Sequence, residues 1–314
     1  MTNKRHWSER RDLMQAKVWG AVLAVMAALT LPIGVEAGDA ARGKYLFDAA
    51  GCLGCHTDTK NKGIPLTGGR AFKTPFGVFY SPNITPDRET GIGTWTDDDF
   101  VRAIRNGVSP DREHYYPVFP YASFTGMSLD DILDLKAYLF STPAIAKANR
   151  AHDLDFPFSW RFVMTGWKLL FFRTGPFEPD PKRSAEWNRG AYLVEALGHC
   201  AECHTPRNRF GGLDRDFWLA GTKTGPEGGI VPNITPDKET GIGTWTESDL
   251  ANALKIGMLP DGDFVGEGMA EFVENSGSRL NDNDIKAINA YLKALPPISN
   301  VVKTKTQSNS SDDW

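Results

Sequence analysis

The sequence predicts an all-α protein made of two tandem copies of one helical unit, and three observations predict it. First, residues 81–107 read SPNITPDRETGIGTWTDDDFVRAIRNG and residues 231–257 read VPNITPDKETGIGTWTESDLANALKIG, so one unit recurs along the chain. Second, each copy is preceded by a Cys-x-x-Cys-His segment, at Cys52–His56 and at Cys200–His204. Third, each copy is followed by apolar residues at helical spacing, Ile132, Leu135 and Leu139 in one and Ile285, Ile288 and Leu292 in the other. With 41% hydrophobic and 24% charged residues, the body is a globular chain and not a disordered one.

The N-terminal residues 1–37 stand apart from the repeats. Lys4, Arg5, Arg10, Arg11 and Lys17 precede an apolar run from Val18 to Val35, which ends at Val35-Glu36-Ala37. That order reads as a signal peptide or, if uncut, an N-terminal anchor, and both place the body across a membrane, in the periplasm. Without this segment the chain keeps 30 basic and 36 acidic side chains, a net −6. No Lys/Arg cluster tracks a groove, so nucleic acid is not an expected partner.

The first unit, residues 38–148, opens on an amphipathic helix over Gly43–Ala50, and the second, residues 185–298, on its counterpart over Gly190–Leu197. Gly43 and Gly190 are either simple helix starts or points of close approach against Tyr138 and Tyr291. Thr96 and Thr246 are expected N-caps, with Asp99 and Asp249 three residues on. Ser128 and Asn281 are expected caps of the closing helices, and Pro143 and Pro296 fall beyond their ends. Residues 149–184 form an aromatic linker that clamps the units together, faces a partner or touches the membrane. Residues 299–314 are polar and expected to be disordered.

All four cysteines lie in the two Cys-x-x-Cys-His segments. An exported chain often pairs four cysteines as disulfides, but a histidine directly after each pair is the c-type haem attachment pattern. Two thiols three residues apart on a helical turn reach the two vinyl groups, and the next residue lies under the iron. The reading is therefore two covalent haem c groups, attached at Cys52 and Cys55 and at Cys200 and Cys203, with His56 and His204 as proximal iron ligands. A zinc ribbon would need its two pairs close together in a compact motif.

The distal ligand decides between carrying electrons and doing chemistry. Aligning the copies at Pro110 and Pro260 sets Phe119 against Met269 and Val108 against Met258. Met269, in the Gly-rich loop GDFVGEGMAEF, is the expected ligand of the second haem, with Met258 the runner-up. Phe119 cannot bind iron, so Met127, in PYASFTGMS, is the expected ligand of the first, with His114 and His152 as rivals. The loops Asn83–Trp95 and Asn233–Trp245 either offer N–H groups to the propionates or are rigid turns.

With these motifs, and with HYYPVFPY and LPDGDFVGEGMAE, the chain resembles the multihaem cytochrome c subunits of bacterial membrane-associated alcohol, gluconate and aldehyde dehydrogenases, from Gly38 to Ile298. The resemblance implies two class I cytochrome c-like domains with His/Met ligation. It also implies electron transfer from a periplasmic dehydrogenase to the respiratory chain through an oxidase, a soluble cytochrome or a quinone pathway. Such a subunit has no catalytic activity of its own. The best-known members carry three haem motifs and this chain two, which leaves open any direct link to quinone. The alternative is a dihaem enzyme, peroxidase-like or sulfur-oxidising, with one open haem.

Overall fold

A computed structural model describes residues 38–226 and 228–302; the N-terminal segment expected to be a signal or anchor, and most of the polar tail, lie outside these. Among the described residues no helix is long and apolar enough to cross a membrane.

Each repeat is built in the same order. In the first, α1 (Ala40–Ala49) leads through Gly51, in the left-handed region at φ 63°, into the helical turn α2 (Cys52–Cys55). Then follow α3 (Asp97–Asn106), the short α4 (Tyr121–Phe124) and the closing helix α5 (Leu129–Ser141). The linker carries α6 (Val163–Phe171). The second repeat runs α7 (Ala185–Tyr192), a π turn (Leu193–Leu197), α8 (Ala201–His204), α9 (Glu247–Lys255), α10 (Glu267–Asn275) and α11 (Asp282–Lys293).

The helix boundaries follow from their caps. Thr96 Oγ1 accepts from Asp99 N at 3.1 Å while Asp99 Oδ2 accepts from Thr96 N at 3.1 Å, and Thr246 and Asp249 repeat this reciprocal pair. Ser128 Oγ and Asn281 Oδ1 cap the closing helices as expected. The first helix starts earlier than the apolar pattern indicated, because Asp39 caps it by accepting from Ala41 N and Arg42 N.

The first and last helices of each repeat cross at glycine. A Cβ on Gly43 would lie 1.9 Å from the Asp134 carbonyl oxygen and 2.9 Å from Tyr138 Cβ; on Gly190 it would lie 1.9 Å from the Ala287 carbonyl oxygen and 2.8 Å from Tyr291 Cβ. Close approach, and not helix initiation, is what these glycines serve. The predicted stripes of both closing helices are buried, together with Phe100 and Ile104 on α3 and Leu250 and Leu254 on α9. Residues of both repeats join in one apolar core.

The architecture is mainly α, with one exception to the all-α expectation. Strands β1 (Ala71–Thr74), β2 (Gly77–Tyr80) and β3 (Asp153–Leu154) form a small antiparallel sheet in that order. The β1–β2 hairpin turns at Pro75-Phe76, and its third strand comes from the linker, a long-range pairing that local periodicity does not reveal.

The two repeats meet along a seam of reciprocal contacts. Arg42 pairs with Asp131 and Arg189 with Asp284, each within its own repeat. The tyrosines cross over: Tyr45 Oη donates to Asp284 Oδ2 at 2.5 Å, and Tyr192 Oη donates to Asp131 Oδ2. Each tyrosine oxygen also accepts from the opposing cap residue, Tyr45 from Asn281 N and Tyr192 from Ser128 N. The linker clamps both sides. Lys168 Nζ donates to the carbonyls of Asn106 and Gly107 at the C-terminal end of α3, while Trp167 Nε1 donates to Phe210 O in the second repeat. Its outer face leaves Phe156, Phe162, Leu169 and Leu170 exposed.

Candidate haem sites

The two Cys-x-x-Cys-His segments fold into matching surroundings. His56 Nδ1 lies 2.9 Å from Pro82 O, and His204 Nδ1 lies 2.8 Å from Pro232 O. A carbonyl only accepts, so Nδ1 carries the hydrogen in both rings and Nε2 is left with its lone pair. Burial lowers both imidazole pKa values, which keeps the rings neutral, the form that ligates a metal. The carbonyl of each histidine is itself held, by Gly68 N at 2.9 Å and by Gly221 N at 2.7 Å.

The proline carbonyls are fixed from behind. Asn83 Nδ2 donates to Ile145 O at 2.8 Å and to Thr90 Oγ1 at 3.1 Å, while its Oδ1 accepts from Thr85 N and Thr85 Oγ1. Asn233 makes the same bonds to Ile298, Thr240 and Thr235. Both asparagines are 2% exposed, so their side chains are spent on holding the loop. The Asn83 and Asn233 side chains thus hold their loops and are not free to meet a ligand. Sequence reasoning did not find the proline carbonyls as partners; the recurrence of Pro-Asn-Ile-Thr-Pro-Asp was the signal that could have done so.

Burial holds the first thiol of each pair in its neutral form, unlike a reactive redox dithiol. Burial, with the neighbouring thiol adding to it, pushes Cys52 up to about 12, and Cys200 likewise to about 12. A reactive dithiol requires the opposite shift. Among the described residues no three His, Cys, Asp or Glu side chains converge on a metal position. The donor set fits haem c: two cysteines three residues apart at a helical turn, followed by a neutral imidazole with Nε2 available.

The expected distal residues sit on separate elements. Met127 is fully buried in the shared core, directly before the Ser128 cap, and its carbonyl accepts from Arg105 Nη2 at 2.9 Å. Met269 is half-buried and packs against the same core, as do Cys52 and Cys200. It lies on helix α10 and not in the loop its glycines suggested, since the chain is helical from Glu267. Met258 pairs in a β-bridge with Phe264, matching Val108 with His114 in the first repeat, which supports the alignment at Pro110 and Pro260. The rival histidines are engaged elsewhere. His152 Nδ1 accepts from Tyr80 N at 3.2 Å, and His114 Nδ1 faces Lys168 Nζ at 3.0 Å.

A mainly helical chain with neutral, oriented histidines after paired cysteines defines a c-type cytochrome, an electron-transfer protein with haem c as its cofactor. The cytochrome c family model matches residues 40–143. A dihaem c-type cytochrome of Cereibacter sphaeroides is 47% identical over 266 residues, covering 83% of this chain and 87% of that protein. The fructose dehydrogenase cytochrome subunit of Gluconobacter japonicus is 40% identical over 258 residues, covering 81% of this chain and 52% of that one. The gluconate 2-dehydrogenase cytochrome c subunit of Pantoea cypripedii is 38% identical over 262 residues, covering 81% of this chain and 59% of that one. The chain thus spans a little over half the length of these two dehydrogenase subunits. It belongs to the same family of c-type cytochromes as the Cereibacter sphaeroides protein.

Proposed function

We propose that each repeat is a domain around its own haem c, and that the chain is the two-haem electron carrier of a periplasmic dehydrogenase. Cys52 and Cys55 would hold one haem covalently and Cys200 and Cys203 the other. His56 with Met127, and His204 with Met269, would be the axial ligands. The observation that carries this reading is the paired bond from Nδ1 to a proline carbonyl, which fixes tautomer and ring direction identically in both repeats.

When bound, haem iron accepts and releases one electron at a time. The chain's part is to orient and to tune. Pro82 and Pro232 hold the imidazoles, Asn83 and Asn233 hold the loops that carry those prolines, and the apolar core around Met127 excludes water. Methionine ligation raises the potential, which suits receipt of electrons from a dehydrogenase cofactor. The dehydrogenase cytochrome subunits among the relatives support a dehydrogenase as donor. An oxidase, a soluble cytochrome or a quinone pathway would be the acceptor, and the N-terminal segment would deliver the body to the periplasm, free or membrane-anchored.

A redox titration of the holo-protein followed by carbon monoxide and peroxide tests this. Two low-spin haems with methionine–iron charge-transfer absorption, both inert, are expected. A haem that binds carbon monoxide or reacts with peroxide would replace the carrier with an enzyme.

A further inference from the structure

The crossed tyrosines of the seam are reciprocal, while the ion pairs Arg70–Glu271 and Arg279–Asp48 also cross it and His199 reaches over it from the second repeat. Tyr45 answers Tyr192 and Asp284 answers Asp131, while Ser276 Oγ donates to Ala49 O and Ser123 Oγ to Glu202 Oε1. His199 stands directly before Cys200 at positive φ as Gly51 stands before Cys52, so the first repeat offers no side chain to answer it. The first attachment site is approached by GKYLFDAAGCLGCH and the second by GAYLVEALGHCAECH, which is one residue longer.

The structure shows where the extra residue goes. The Leu193–Leu197 π turn, closed by Gly198 N donating to Leu193 O at 2.6 Å, takes up part of the insertion. His199 then stands at φ 40°, in the left-handed region that residues other than glycine rarely adopt. Single π turns of this kind concentrate at functional positions. From there the side chain reaches into the first repeat. Its Nε2 lies 3.4 Å from Ala50 O, and its ring stands edge-on to Phe124 with centroids 5.4 Å apart. Because the carbonyl only accepts, Nε2 carries the hydrogen.

Those two partners flank the first haem site. Ala50 lies two residues before Cys52, Phe124 lies three before Met127, and His199 itself adjoins Cys200. One half-buried ring therefore joins the covalent neighbour of the second attachment site to the proximal and distal segments of the first.

We infer that His199 is a positioning residue that forms the electron bridge between the two haem sites. This rests on the two-haem reading above. With haem bound at both sites, one iron would lose a single electron and be oxidised while the other would gain it and be reduced, with His56 and His204 holding the two irons. No proton moves and no bond forms or breaks. The path runs from Cys200 through the His199 ring to the Ala50 carbonyl and Cys52.

The test compares wild type, His199→Leu and His199→Gln as holo-proteins. Haem content is read by mass, the two potentials by spectroelectrochemistry, and electron exchange between the haems by NMR of the half-reduced protein. His199→Leu is expected to keep both haems and both potentials while exchange slows several-fold. His199→Gln, which retains an N–H donor, should recover most of the rate. Wild-type exchange in His199→Leu would overturn the inference. If that variant loses haem, His199→Phe, which keeps a ring without the N–H, decides: slowed exchange with both haems and both potentials retained supports the bridge, and wild-type exchange overturns it. Fewer than two haems in the wild type would instead sink the two-haem reading.

Discussion

Replacing Gly190 by alanine puts the helix crossing to a direct test. The new Cβ would meet the Ala287 carbonyl oxygen at 1.9 Å and Tyr291 Cβ at 2.8 Å, and the first of these is backbone that cannot rotate away. Helices α7 and α11 must therefore separate. Overpacking of a tight contact costs about 1–3 kcal/mol, and a clash with main chain belongs at or above the top of that range. Against it stands the gain from replacing glycine within a helix, about 1 kcal/mol. The net expectation is a loss of about 2 kcal/mol. Gly166 on the linker helix supplies the matched control, because nothing lies within 4 Å of its would-be Cβ. Gly166→Ala should gain about 0.5–1 kcal/mol. Denaturant unfolding of the two holo-variants against wild type reads both, as midpoints shifting in opposite directions. A Gly190→Ala protein as stable as wild type would refute the close-crossing argument.

Three further outcomes are expected. Met127→Leu conserves volume in a fully buried position, so its stability cost should stay below about 1.5 kcal/mol, while the methionine–iron absorption of one haem disappears in the near-infrared spectrum; an unchanged spectrum would remove Met127 as ligand. Burial alone would raise the Asp284 carboxyl, but Arg189 and Tyr45 outweigh it and hold it below the usual carboxylate range. Its contribution is thus present above about pH 4, its unfolded value, and is lost as pH falls through the depressed folded value, so thermal melts of Asp284→Asn should show a weaker acid dependence than wild type. Asn233→Ala strands the Thr235 N–H, while Thr235 Oγ1 still reaches the Ile298 carbonyl at 3.3 Å, and should cost about 1–3 kcal/mol in denaturant unfolding.

What the sequence makes legible here is what local chemistry determines. The Thr96 and Thr246 capping boxes, the Ser128 and Asn281 caps and the stripes of both closing helices are set by neighbours three or four residues away, and each appears where the spacing placed it. Gly43 and Gly190 were legible as glycines at recurring positions, although only packing distinguishes a crossing from a helix start. The haem segments were legible because cysteine and histidine carry the chemistry themselves. Their support was not, since Pro82 and Pro232 act through a backbone carbonyl that every residue possesses. The crossed tyrosines were hidden for another reason. Tyr45 and Asp284 are 239 residues apart, and no periodicity links them. The glycines around Met269 suggest a loop, yet tertiary packing carries helix α10 through that stretch.

The central claim is that both Cys-x-x-Cys-His segments hold haem covalently. The intact mass of the purified holo-protein, taken after denaturation in acid, tests it most directly. Two haem masses retained on every chain, with one lost when Cys200 and Cys203 are both replaced by alanine, is the predicted result. A denatured chain that carries a single haem, or none, would contradict the account.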